Sequence, residues 1–336
     1  MTLTLDLARR RTLLIAMAGG IGALLSKGSV AATWPSQAIR VVLPFPAGGT
    51  ADAVARLLSE KLAGAFSSAV VVDPKPGANG IIASTAVAQA NADGHTLLFA
   101  SAAHTSNASL YPKLPYDTVR DFVPVAQVVP PGPMVIAVHP AVPVRTVGEL
   151  IAFARANPGA ISYGSAGVGN TLHLAGEMLA QMANIKLLHV PYRGGAPALT
   201  DLVSGQIQLM FNSALVVAPY VKDGRIRLIA QTGSRRSSAL PDLATVDEAG
   251  LPGFEVTGWF GLFAPAKTPI DVIEKINRES NRAMALPELR DKLSLLGTAE
   301  APSLTADQFA AFTRAEMDRY AKVIKNAGLS LDTPKP

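Results

Sequence analysis

No cysteine occurs in the chain, which excludes disulfides, thiolate metal sites and a cysteine nucleophile. A stripe of Lys and Arg interleaved with aromatic residues is also missing, so nucleic acid is not an expected partner. Past residue 32 no apolar run approaches membrane-spanning length, and the mature chain is expected to be soluble. Metal chemistry finds little foothold. His95, His104, His139, His173 and His189 include no pair spaced for zinc on one helix, and none stands beside a carboxylate in sequence. Each reads as a polar loop or strand-end residue rather than a catalyst or a ligand.

The amino end carries an ordered signal. Arg9-Arg10-Arg11 precedes an apolar stretch from Thr12 to Leu25, and small residues follow as far as Ser29-Val30-Ala31-Ala32. Basic, then apolar, then small is the order of a secretory signal peptide, and the apolar part is too short to span a bilayer. Residues 1–32 are therefore expected to be removed near Ala31 or Ala32, which places the protein in the periplasm. Arg10-Arg11 also hints at twin-arginine export. These residues hold a net +3 of the chain's +5, leaving +2 on the mature protein. An exported protein without disulfides rests on its core, and about 300 mature residues suffice for two domains.

One pattern recurs along the mature chain: a short apolar run, a turn with Gly or Ser, then a helical period. Ile39 to Leu43 reads as a buried strand that meets Pro44-Phe45-Pro46-Ala47-Gly48-Gly49-Thr50; Val54, Leu57, Leu58 and Leu62 then share one helix face. Val70–Val72, His95–Ala100 and Val135–Val138 are further strands, and Ser101 to Asn107 reads as a polar loop. Thr146-Val147-Gly148-Glu149 has capping-box spacing. Ile161 to Tyr163 leads into Gly164-Ser165-Ala166-Gly167-Val168-Gly169-Asn170-Thr171. Leu187–Val190, Ile207–Phe211 and Arg227–Gln231 complete the strands. A helical tail follows, opened at Thr268-Pro269 and again at the capping box Thr305-Ala306-Asp307-Gln308.

Alternation of this kind predicts an α/β fold with mainly parallel sheets. Val129-Pro130-Pro131-Gly132-Pro133 and Gly258 to Pro265 read as two crossings between lobes. Residues 33–130 and 260–336 then form one lobe and 131–259 the other.

Three loops (residues 44–52, 164–171 and 211–216) run from strand to helix. A helix start offers free N–H groups and about half a positive charge, so each can seat an anion. None contains Lys or Arg, and amides and hydroxyls alone can hold a carboxylate. The glycines can equally be ordinary turns. Gly164 to Thr171 fails as a phosphate loop because Asn170 stands where lysine is required. Around Ser165 the first glycine of a nucleophile elbow is missing. A catalytic dyad in the cleft would be the mark of a secreted α/β hydrolase instead.

These landmarks together resemble a known family. Pro44 to Asp52 with Ala55-Arg56, Pro76-Gly77-Ala78-Asn79-Gly80, Asp93 to Leu97, Asn157-Pro158-Gly159, Tyr163 to Gly169, His189 to Gly194, Glu248 to Gly253 and Trp259-Phe260-Gly261 stand in the order seen in the Bug-type receptors of tripartite tricarboxylate transporters. The resemblance implies a type II, Venus-flytrap periplasmic binding protein. It would have two lobes, no catalysis, no cofactor and no metal, and it would be monomeric.

Such a receptor hands a small carboxylate to membrane subunits of its transporter; a sensory receptor serving a membrane signalling protein is the alternative. Carried onto this sequence, first-lobe contacts are Ala47, Gly48, Gly49, Thr50 and Asp52. Second-lobe contacts are Ser165, Ala166, Gly167, Asn170 and Thr171, with Asn212 and Arg193 closing the pocket. Relatives often have aspartate at the position of Asn212. A neutral amide there favours a dicarboxylate or aromatic acid over an amino acid, unless Asn212 only caps the next helix. Arg56 and Arg193 can each be an ion-pair partner or a ligand contact.

Overall fold

The computed structural model describes residues 34–48, 50–295, 303–326 and 329–330. The expected leader, residues 1–32, lies outside them. Apolar runs supply the strands β1 (Ile39–Leu43), β2 (Val70–Pro74) and β3 (Thr96–Ser101), which pair in parallel with β1 in the middle. They lead into α1 (Thr50–Phe66), α2 (Ile81–Ala88) and α3 (Ala102–Leu110) respectively. β4 (Phe122–Pro133) carries the chain to a second sheet, entered by β5 (Val135–Val138) and α4 (Val147–Ala156).

The plan then repeats there. β6 (Ser162–Ser165), β7 (Leu188–Pro191) and β8 (Leu209–Asn212) are parallel with β6 central, and lead into α5 (Thr171–Ala183), α6 (Gly195–Val203) and α7 (Ala214–Lys222). After β9 (Arg227–Gln231), β10 (Thr257–Pro265) returns to the first sheet, and α8 (Ile270–Met284), α9 (Pro287–Leu295) and α10 (Ala306–Asn326) finish the described chain.

The sheets have the orders β2-β1-β3-β10-β4 and β7-β6-β8-β5-β9. In each, one strand runs against the rest: β10 pairs antiparallel with β3 and β4, and β5 with β8 and β9. Four of the five strands in each sheet thus run the same way, and the sheets are mainly parallel with one reversed strand. The reversed strand in each is the one that arrives from the other lobe. It enters at the edge where the parallel strands end (Val135 opposite Asn212, Phe260 opposite Ser101) and must run back from it. Ile136, Tyr163, Leu179 and Phe211 lie in the core of the second lobe; Val42, Leu98, Trp259, Phe263 and Phe309 lie in that of the first.

Three sequence expectations are corrected here. Ala102 to Asn107 is helical: Ser101, the last residue of β3, caps α3 by accepting the Ala103 N–H, and His104, Thr105, Ser106 and Asn107 are buried. Asn107 and Asn79 exchange hydrogen bonds, and Ser84 meets His104 Nδ1 at 3.1 Å, so the polar face of α3 finds its partners far along the chain. Residues 129–133 belong to strand β4, and 258–265 to β10. Prolines 130, 131 and 133 are tolerated because β4 is an edge strand with only β10 beside it.

The crossings themselves shrink to Met134 and the segment ending at Val256, and Thr232 ties the two together. Its N–H donates to Met134 O at 2.8 Å, its Oγ1 accepts the Met134 N–H at 2.8 Å and donates to Val256 O at 2.5 Å, and its carbonyl accepts the Val256 N–H at 2.9 Å. Thr232 is fully buried. Thr232→Val keeps the shape and strands the buried Met134 N–H, a loss of about 1–3 kcal/mol. Chemical denaturation is expected to show that loss; an unchanged midpoint would mean the hydroxyl does not tie the crossings.

Candidate functional site

Because β1, β2 and β3 are parallel, the loops after them leave one edge of the first sheet. The loops after β6, β7 and β8 leave one edge of the second. Ligands in α/β sheets sit beyond such edges. Pro46 and Gly194 meet between the two lobes: a side-chain carbon at Gly194 would lie 3.4 Å from Pro46 Cγ. On the same side α5 docks on the first lobe. Leu174 joins the cluster of Trp259, Phe309 and Tyr320, and Thr171 lies beside the Tyr320 hydroxyl.

In the first loop, Ala47 and Gly48 are exposed, and Gly48 has φ +87°. Asp52 is buried in the first turn of α1, where Oδ2 accepts the Gly48 N–H at 3.0 Å and Oδ1 faces Arg56 at 2.9 Å. The Arg56 guanidinium, helped by that amide, holds the Asp52 carboxyl below the usual range. Asp52 therefore shapes the loop, and Arg56 is spoken for. Gly49 lies outside the described residues; Thr50 begins α1.

The second-lobe loop is built on hydroxyl and imidazole. Ser165 is fully buried at the end of β6. Its Oγ lies 3.0 Å from Gly167 O, accepts the Gly167 N–H at 3.2 Å, and stands 2.7 Å from His189 Nε2. Asn170 caps α5 by accepting the His173 N–H at 3.0 Å, so the N–H groups of Thr171 and Leu172 are left to the open helix end. Ala166, Gly167, Asn170 and Thr171 are half-buried.

Asn212 is buried; its Oδ1 accepts the Ser213 N–H at 2.8 Å at the start of α7, and its Nδ2 lies 3.6 Å from Met210 Sδ. Ser213, not Asn212, is the N-cap of α7, and it makes no side-chain cap bond. Arg193 is exposed beside Gly194, and among the described residues no carboxylate forms an ion pair with it.

The Ser165–His189 contact has the distance of a nucleophile and its base. The rest of the geometry is wrong for that role. Ser165 has no exposure and contacts the Gly167 backbone on both its N–H and C=O sides, while the nearby carboxylate, Glu177, faces His173. Sequence reading passed over the histidines because Ser165 and His189 come from separate strands, although Tyr163 and His189 are register partners. It also passed over Gly194; its φ of +123° is the one local sign that a close approach needs glycine there. No group of three or more His, Cys, Asp or Glu that could hold a metal occurs among the described residues, and no helix there is long and apolar enough to cross a membrane.

Residues 54–329 match the profile of a family described as the tripartite tricarboxylate transporter family receptor. A protein encoded in the tcbD–tcbE intergenic region of Pseudomonas sp. strain P51 is 40% identical over 327 residues, covering 95% of this chain and 94% of that protein. Among solved structures, Rpa4515 of R. palustris with adipate superposes with a TM-score of 0.83 at 33% identity, over 89% of this chain and all of that one. MatC of Rhodopseudomonas palustris with bound malate gives 0.80 at 30% identity, over 87% of this chain and 100% of that one.

Proposed function

The chain belongs to the receptor family of the tripartite tricarboxylate transporters, and from that premise we propose that it captures a small dicarboxylate between its lobes and delivers it to the membrane subunits of such a transporter. It works as a periplasmic monomer once residues 1–32 are removed, its lobes dividing at Met134 and after Val256.

One observation carries the dicarboxylate reading. Helix starts from both lobes, α1 behind Gly48 and α5 behind Gly167, open at facing sheet edges without a lysine or arginine in either loop. Two lysine-free anion seats suit a molecule with a carboxylate at each end. Arg193 beside Gly194 adds an exposed cation that forms no ion pair with a carboxylate among the described residues. The adipate and malate held by the two R. palustris proteins are dicarboxylates, which makes them the first ligands to try.

A thermal-shift panel tests the reading. Ligand at a hundred times its dissociation constant adds about 2.7 kcal/mol, a rise of only a few degrees at this chain length, so calorimetry should accompany it. Adipate, malate or a related dicarboxylate is expected to raise Tm. A response confined to neutral sugars, amines or metal ions would refute the carboxylate reading.

A further inference from the structure

Behind the 165–170 loop lies a polar cluster that ligand capture alone does not require. The rings of His173 and His189 stack with centroids 3.9 Å apart, and Tyr163 lies 4.9 Å from His189. His173 Nδ1 accepts the Gly169 N–H at 3.0 Å, so that nitrogen carries no proton. The proton of the neutral ring is then on Nε2, which faces Glu177 Oε1 at 3.6 Å. The same carboxylate oxygen accepts the Tyr163 hydroxyl at 2.6 Å.

Counting protons assigns the other ring as well. A serine hydroxyl has one proton and two acceptor sites. Ser165 Oγ accepts the Gly167 N–H and lies within bonding distance of both Gly167 O and His189 Nε2. All three contacts are satisfied only if Ser165 donates to Gly167 O and His189 Nε2–H donates to Ser165. Burial pushes the His189 pKa down to about 4, which keeps that ring neutral as well.

We propose that His173 and His189 are positioning residues of the ligand loop, one acting as an acceptor at Gly169 and the other as a donor at Ser165. The loop between these two pins holds Gly167 at φ +130° and Gly169 at φ +81°, conformations with little intrinsic preference to stay where the ligand needs them. The imidazoles fix the back of the loop, while its front (Ala166, Gly167 and exposed Val168) stays free for a carboxylate. This inference rests on the receptor reading only for what the loop is held ready to bind.

The opposite chemistry of the two pins gives the test. Asn at 173 can place an acceptor where Nδ1 sits, and Gln at 189 can place a donor where Nε2 sits; leucine supplies neither. Amide hydrogen exchange across residues 164–171 in the ligand-free protein reads the pins directly, and adipate calorimetry reads their effect on binding. His173→Leu and His189→Leu are expected to speed exchange and weaken adipate about tenfold, whereas His173→Asn and His189→Gln stay within about twofold of the parent. The swapped pair, His173→Gln and His189→Asn, should behave like leucine; it serves in place of the leucine variants if those fail to fold.

The proposal is overturned if folded leucine or swapped variants exchange at the parental rate, or if the matched variants do no better than the swapped ones. Should exchange follow the expected pattern while the parent binds no carboxylate, the pins stand and the receptor reading fails.

Discussion

Gly167→Asp is expected to abolish dicarboxylate binding, and Gly48→Asp to do the same from the opposite lobe. Each places a charged side chain in a proposed anion seat, so repulsion and lost space act together. A loss beyond a hundredfold, about 2.7 kcal/mol, is the expected reading. Backbone strain must be separated from this. Gly167 has φ +130° and Gly48 φ +87°, so any side chain there also costs about 1–2 kcal/mol of stability.

Gly250→Asp is the matched control. Gly250 has φ +108° and open space around a built side-chain carbon, as Gly48 does, but belongs to the 247–253 turn and to neither ligand loop. All three variants should lose comparable stability, and only the two loop variants should lose affinity by calorimetry. Parental affinity in folded Gly48→Asp and Gly167→Asp protein would show that these glycines are ordinary turns and that the site is misplaced.

The largest effect on stability is expected from Glu316→Ala. Glu316 on α10 is buried, and its Oε2 accepts the Trp259 indole N–H at 2.8 Å. Arg319 grips both carboxylate oxygens at 2.9 Å while donating to Glu255 O at 3.1 Å. One carboxylate thus fastens β10 and the segment before it to the last described helix. Truncation leaves a largely buried guanidinium and an indole N–H without their acceptor. Losses of this type run to about 3–5 kcal/mol, and the partial exposure of Arg319 favours the lower end. Glu316→Gln keeps an acceptor for Trp259 and should recover part of the loss. Thermal unfolding followed by tryptophan fluorescence reads both; a shift in Tm under about one degree for Glu316→Ala would contradict this account.

The sequence made the repeating half of the architecture readable and hid the other half for identifiable reasons. β1, β3 and β8 are buried strands whose apolar runs stand out; the capping box at Thr305 forms in full, while at Thr146 the hydroxyl caps the Glu149 N–H but the Glu149 carboxylate accepts the Arg145 N–H instead. α3 escaped because its buried face is polar: His104 Nδ1 and Asn107 find Ser84 and Asn79, which no local periodicity reports. β4 escaped because prolines argue against a strand unless its place at the sheet edge is known.

At the site, the glycine-containing loops between strand and helix were legible. The roles of individual side chains were not. Asp52 turns to its own loop at Gly48 and to Arg56 one helical turn on, and Thr171 lies beside Tyr320, a neighbour distant in sequence. The Ser165–His189 contact joins residues on adjacent strands, and that adjacency exists only once the sheet is assembled.

The place of β10 between β3 and β4 also dictates an order of assembly. Every strand of the second sheet lies within residues 135–231, so that sheet can close as soon as this stretch is available. The first sheet cannot. Ser101 must wait for Phe260, and until it arrives β3 and β4 flank an empty slot with both inner edges unpaired. Pairings over such sequence separation close late, because the intervening chain must be ordered first. The half of the molecule that begins first is the half that finishes folding last, and its two open edges are where a delayed chain is most exposed to association with others.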